Sequence, residues 1–185
     1  LIRDHSNEQI SEGLFKAEPE SGICRVVCFS PDHGLTLPLM ESEDITKVIQ
    51  TWKNEYKNLG AIGGINYVQI FENKGDIMGC SNPHPHGQIW AQKSIPNEVE
   101  KKSKNLKEYW LNHNQSLLEA YLQQELEMDE RIVLQNQHFV ALVPFWAIWP
   151  YEIMIIPRTH YQHIGQLNLE EEQAFADIIK KLCIK

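Results

Sequence analysis

Gly79-Cys80-Ser81-Asn82-Pro83-His84-Pro85-His86-Gly87-Gln88-Ile89-Trp90 is the stretch on which the reading of this chain turns. Side chains alternate faces in an extended segment, so His84, His86 and Gln88 share one face while Pro83, Pro85 and Gly87 carry the backbone between them. Proline cannot donate to a strand ladder, which predicts a place at a sheet edge or rim, within reach of a ligand. Gly87 removes a side chain where a phosphate would approach closely. Two imidazoles and an amide on one surface suit attack on phosphorus. An imidazole that is largely neutral at pH 7 has a lone pair able to displace a leaving group and hold a phosphoryl or nucleotidyl group. The Gln88 amide would donate to a non-bridging oxygen as its charge grows. Gln cannot supply a proton, and a transferase whose leaving group is a phosphate monoester needs none, so Gln88 favours transfer over hydrolysis. The competing readings are structural histidines and one half of a zinc site. Composition argues against a plain core strand, because Gly79 to Gln88 holds two prolines, two glycines and no large aliphatic residue.

Outward from this stretch, residues 1–22 read as a loop or extended arm with no sustained period. Ile23 to Phe29 reads as a strand, closed by the turn residues Ser30-Pro31-Asp32-His33-Gly34. Ser42 with Glu43 and Asp44 marks a helix start, and Ile45, Val48, Ile49 and Trp52 recur at i, i+3, i+4, i+7 until Gly60. Ile65 to Glu72 is extended, turned by Asn73 to Asp76, and Cys80 to Ala91 is a third extended piece. Leu106, Tyr109, Trp110, Leu117, Leu118, Tyr121, Leu122 and Leu126 place one or two helices between 97 and 128. A second strand-rich block covers Arg131 to Pro144 and Tyr151 to Ile156, followed by Pro157-Arg158-Thr159-His160 and a helix carrying Phe175, Ile178, Ile179 and Leu182. The order of strand, proline-and-histidine turn and helix occurs around His33 and again around His160, which predicts an α+β chain with an internal duplication. Its expected parts are the arm (1–22), a first half-domain (23–130) and the start of a second (131–185).

Composition narrows the function classes. The 185 residues carry 17 Lys and Arg against 25 Asp and Glu, a net charge of −8 with no basic run, which argues against nucleic acid as a partner. Phe139 to Trp149, the longest apolar stretch, falls well short of the ~18 residues a membrane span needs, so no membrane partner is expected. Leu1-Ile2-Arg3-Asp4-His5 lacks a starting Met and a charged-then-apolar leader, which reads as a piece of a longer, unsecreted protein. Cys24, Cys28, Cys80 and Cys183 follow no metal-ligand spacing and read as reduced, cytoplasmic thiols.

Four blocks together, Val27-Cys28-Phe29-Ser30-Pro31-Asp32-His33, Phe71-Glu72-Asn73-Lys74-Gly75, Met78 to Ala91 and Pro144-Phe145-Trp146-Ala147-Ile148-Trp149-Pro150-Tyr151-Glu152, resemble the galactose-1-phosphate uridylyltransferase family. That family is a branch of the histidine-triad superfamily, and the similarity runs in family order from about Leu14 to the end. The resemblance implies a histidine-triad-like antiparallel sheet with helices on one face and duplicated half-domains, the second incomplete here. It implies His86 as the nucleophile that takes uridylyl from UDP-glucose, releasing glucose 1-phosphate, before galactose 1-phosphate attacks to give UDP-galactose. Gln88 would hold the phosphoryl oxygens; Asn73, Gly79, Cys80 and Ser81 would surround the diphosphate; Phe71 and Val26 would lie near the base or ribose. His33 and His84 match two of the four ligands of a zinc site found in some members, the other two being cysteines that this sequence lacks. Lys102 stands where members with a second metal site carry Glu. A homodimer whose partner subunit contributes to each active site is also implied.

Two other classes compete with this reading: a diadenosine tetraphosphate phosphorylase-like nucleotidyltransferase, and a non-catalytic nucleotide-binding or zinc-stabilised module. The Phe-Glu-Asn-Lys-Gly and Trp-Ala-x-Trp-Pro blocks weigh against the first. Trp146 and Trp149 are expected in packing or a subunit interface. His160 reads as structural, since no second His-x-His follows it. His5, His113, His138 and His163 carry no motif, and Glu170-Glu171-Glu172 reads as the acidic first turn of a helix.

Overall fold

The computed structural model describes residues 10–80 and 82–184. Two compact units divide them. One holds the chain up to Gly34 together with Trp52–Pro96, and the other holds Leu35–Thr51 together with everything from Asn97 onward.

The first unit is built on an antiparallel sheet of β3 (Gly22–Cys28), β5 (His86–Gln92) and β4 (Tyr67–Phe71), in the order β3-β5-β4. A short hairpin of β1 (Ile10–Glu12) and β2 (Phe15–Ala17) precedes it, turning at Gly13 with φ +59°. Strands this short carry too few residues for a period to register, and the stretch that reads as a loop or extended arm contains this hairpin in its described part; residues 1–9 lie outside the described residues. The strand containing the histidine motif is the central one, not the edge. Pro83 and Pro85 lie just ahead of β5, where their missing N–H groups break no ladder, and the Phe29 N–H donates to the Pro85 carbonyl at 3.1 Å as the pairing with β3 runs out.

Alternation along β5 decides what each face does. Ile89 and Ala91 are buried with Leu59 and Ile65, and Ile23, Val27, Trp52, Ile62, Val68 and Ile70 pack around them. His86, Gln88 and Trp90 therefore point to the opposite, open face. The helix α1 (Ser42–Gly60) buries Ile45, Val48 and Ile49, as its spacing predicts, and Trp52 meets the Phe29 ring edge-on with centroids 6.0 Å apart.

In the second unit β6 (Ile132–Gln135), β7 (Phe139–Leu142) and β8 (Met154–Pro157) form another antiparallel three-stranded sheet with β7 in the middle and buried throughout. Asn136 makes the β6–β7 turn. Its side-chain oxygen accepts from the His138 and Phe139 N–H groups, and its amide donates to the Ala174 carbonyl at 2.8 Å. The helical region is two helices, α2 (Asn97–His113) and α3 (Leu117–Met128), interrupted at Asn114, whose φ is +52°. Leu122 of α3 packs on Val140, Leu142 and Ile156, and α4 (Leu169–Ile184) covers Phe139 and Ala141 through Ile178.

The acidic run Glu170-Glu171-Glu172 is the first turn of α4, with more in it than a dipole effect. Asn168 and Glu171 form a reciprocal cap: the Glu171 N–H donates to the Asn168 side chain at 3.1 Å and the Asn168 N–H donates to the Glu171 carboxylate at 2.8 Å. Glu171 and Glu172 are buried, and the Gln50 amide donates to Glu172 at 3.0 Å. Trp146 packs on Tyr121 with ring centroids 4.8 Å apart yet stays half exposed, and Trp149 is 73% exposed.

Candidate active site

Two turns bring the histidines to the first unit's open face. After β3, the Ser30 hydroxyl accepts from the Asp32 N–H at 3.0 Å and the Asp32 carboxylate from the Gly34 N–H at 2.8 Å, which fixes the loop around His33. Before β5, the Asn82 side chain accepts from the His84 N–H at 3.0 Å and sets His84 in the same way. The two rings meet edge-on, with centroids 4.4 Å apart and their Nδ1 atoms 2.7 Å apart.

Hydrogen-bond partners determine the tautomers. A carbonyl oxygen only accepts, so the contact of His84 Nε2 with the Ser30 carbonyl at 2.8 Å requires a proton on Nε2. Neutral His84 thus turns an unprotonated Nδ1 toward His33. The His86 Nδ1 lies 2.8 Å from the His84 carbonyl and must likewise be the protonated nitrogen. The lone pair of neutral His86 is left on Nε2, at the first position of β5.

Sheet register assembles the neighbours. Cys28 pairs with His86, and Val26 and Phe71 both pair with Gln88, so Val26, Gln88 and Phe71 form one row across three strands on the open face. Val26 is 66% exposed there, far more than a core valine. Asn73, Gly79 and Cys80 belong to the loop that leaves β4 at Phe71. Gly75 and Gly79, with φ of +86° and +79°, turn it, and the Cys80 N–H donates back to the Gly75 carbonyl at 3.2 Å. Ser81 lies outside the described residues. Burial pushes the Glu72 carboxyl up, opposed by Lys74 and His86. In the sequence Glu72 carries no signal beyond its place directly after Phe71.

Gly87 does not open a path for phosphate. It is buried on the core face, where an added Cβ would lie 3.2 and 3.3 Å from the Phe29 ring and 3.4 Å from the Phe71 carbonyl. The glycine makes room for Phe29, opposite the face that carries His86 and Gln88. Gly87→Val is therefore expected to lower stability by about 1 to 3 kcal/mol through overpacking. Urea unfolding checks it, and an unchanged midpoint would show that Phe29 yields freely.

As for metals, His33 and His84 converge as a pair, and no group of three or more metal-ligating side chains occurs among the described residues. The His84 arrangement nonetheless fits a ligand, because its far nitrogen is anchored on a backbone carbonyl while the other turns toward a second imidazole.

The fold is that of the uridylyltransferase class. A solved uridylyltransferase superposes with a TM-score of 0.83 at 28% identity, over 97% of this chain and 57% of that one. A galt-like protein from Arabidopsis thaliana gives 0.79 at 27% identity over 87% of this chain and 52% of that one. An ADP-glucose phosphorylase from the same plant, with bound ADP-glucose, gives 0.79 at 27% identity, covering 87% of this chain and 50% of that one. Residues 2–96 match the N-terminal domain, and residues 100–185 the C-terminal domain, of galactose-1-phosphate uridyl transferase, and the chain belongs to that family. Galactose-1-phosphate uridylyltransferase of Haemophilus influenzae is 47% identical over 178 residues, covering 96% of this chain and 50% of the relative. The protein of that name from Rattus norvegicus is 42% identical over 172 residues, covering 93% and 45%. The chain thus spans about half the length of the curated relatives it matches.

Proposed function

We propose that this chain carries the nucleotide-accepting site of a UDP-glucose:hexose-1-phosphate uridylyltransferase. The observation that carries the reading is the His86 hydrogen bond to the His84 carbonyl, which leaves Nε2 as the free nitrogen on the open face, in the same strand as Gln88. His86 Nε2 attacks the α-phosphorus of UDP-glucose, the P–O bond to glucose 1-phosphate breaks, and uridylyl stays on the imidazole. A phosphate oxygen of galactose 1-phosphate then attacks the same phosphorus, the P–N bond breaks, and UDP-galactose leaves. Gln88 donates to a non-bridging oxygen in both steps. Val26 and Phe71 flank Gln88 in the row that the nucleoside would follow, and Asn73, Gly79, Cys80 and Ser81 supply neutral donors to the diphosphate, consistent with a chain of net charge −8.

His33 and His84 would hold zinc, with two further ligands from outside this chain. When bound, the ion would act structurally, tying the loop after β3 to the segment that leads into β5. A homodimer and a cytoplasmic setting complete the reading; the free thiols of Cys24, Cys28 and Cys80 agree with the latter, and no helix among the described residues is long and apolar enough to cross a membrane.

The test is incubation with uridine-labelled UDP-glucose and, in parallel, adenosine-labelled ADP-glucose. An acid-labile, base-stable uridylyl adduct on His86 is the expected result. A purely adenylyl adduct would point to the phosphorylase-like alternative, and no adduct at all to a non-catalytic module.

A further inference from the structure

We infer that Trp90 is a positioning residue for the nucleotide site: it braces Phe71 edge-on from the open face and so fixes the ring that flanks Gln88. The inference rests on the proposed function and extends it to a residue outside the family motif's histidines and amide.

Trp90 follows Gln88 by two on β5, so it shares the open face and stands one row further from His86. Its register partners there, Cys24 and Gln69, are small or polar and give the indole nothing aromatic to pack on. Diagonally across the sheet, however, it meets Phe71 with ring centroids 5.4 Å apart at an interplanar angle of 84°. That is the edge-to-face geometry in which the positive edge of one ring meets the negative face of the other, and diagonal neighbours on a sheet face are within reach of aromatic side chains.

Trp90 is not in the core. The buried cluster of this unit lies on the other face, with Ile89 and Ala91 on either side of Trp90 in the chain, and the indole is 47% exposed. A large apolar group half in water, touching one aromatic ring beside the amide of the motif, is placed to hold that ring's rotamer. Phe71, paired with Gln88, has the backbone of β4 to set its position and, among the described residues, the ring of Trp90 as the aromatic partner that sets its ring plane. Without the indole, Phe71 gains rotamers that a bound base must freeze again, so nucleotide affinity falls while the chemistry at His86 is unaltered.

Calorimetric titration of the chain with UDP, together with the rate of adduct formation at saturating UDP-glucose, tests this. Trp90→Leu keeps apolar bulk and lacks the ring edge. It is expected to weaken UDP binding by about three- to tenfold, to leave the saturated rate within about twofold of the unsubstituted chain, and to leave the melting temperature unmoved. Trp90→Phe should restore most of the affinity. In a Phe71→Leu background, Trp90→Leu should add nothing, because the brace has no ring left to hold. Wild-type affinity in Trp90→Leu, failure of Trp90→Phe to rescue, or full additivity with Phe71→Leu would each overturn the assignment. If the unsubstituted chain neither binds UDP nor forms an adduct, the proposed function itself falls and this inference falls with it. UDP binding without dependence on Trp90 refutes the brace alone.

Discussion

Alanine in place of His86 is expected to cut uridylyl-adduct formation to below about 1% of the unsubstituted chain, because no second imidazole can take over. His84 is the obvious substitute by sequence, two residues away on the same face. Its Nε2 is committed to the Ser30 carbonyl and its Nδ1 to His33, so neither nitrogen is free to attack. The remaining nucleophile in register is the Cys28 thiol, the direct cross-strand partner of His86. Peptide mapping of the labelled chain distinguishes these outcomes. An adduct that persists above about 1%, or that moves to Cys28 or His84, would remove His86 from the role. Folding should not confuse the result, since His86 is half-buried on the open face and its ring makes a single described hydrogen bond, at the start of the strand.

What could be read from the sequence follows how local each feature is. The shared face of His86 and Gln88 was legible because strand alternation involves only neighbours, and the α1 stripe of Ile45, Val48 and Ile49 was legible for the same reason. The central place of β5 was not, because the prolines that suggested an edge lie before the strand and nothing local reveals two partners arriving from residues 22–28 and 67–71. Gly87 was misread on the same grounds. A glycine signals that a side chain is unwelcome, but which face lacks room depends on Phe29, brought in by the fold. Glu172 reads in the sequence as part of an acidic first helical turn, which does not reveal its burial, and that burial is made tolerable by Gln50, 122 positions earlier. The tautomer of His86 is intermediate: its acceptor is a carbonyl two residues back, yet that contact exists only because Asn82 and the prolines shape the entry to the strand.

Arg131→Met is expected to be the most damaging change away from the site, and its effect should depend on pH with a definite sign. Glu125 is 1% exposed, and the Arg131 Nε donates to both of its carboxylate oxygens at 2.9 Å. Burial alone would push the Glu125 carboxyl up, but hydrogen bonds from Arg131 and Tyr121 and the guanidinium charge outweigh it and hold the group below its ordinary value. A carboxyl depressed in the folded state adds stability that is present above its unfolded value of about 4.5 and is lost as pH falls through the folded one. Removing Arg131 inverts this. The stranded carboxylate then suffers burial without compensation, its pKa rises, and the penalty is largest at neutral pH and relieved by protonation. The melting temperature at pH 7 should fall by about 10 °C, and the gap between variant and unsubstituted chain should narrow on going to pH 4.5. Glu125→Leu combined with Arg131→Met should recover much of the loss, since an apolar pair leaves no buried charge. A gap of the same size at both pH values would mean that Arg131 acts through packing against Phe145, whose ring its guanidinium overlies at 5.4 Å, and not through the carboxylate.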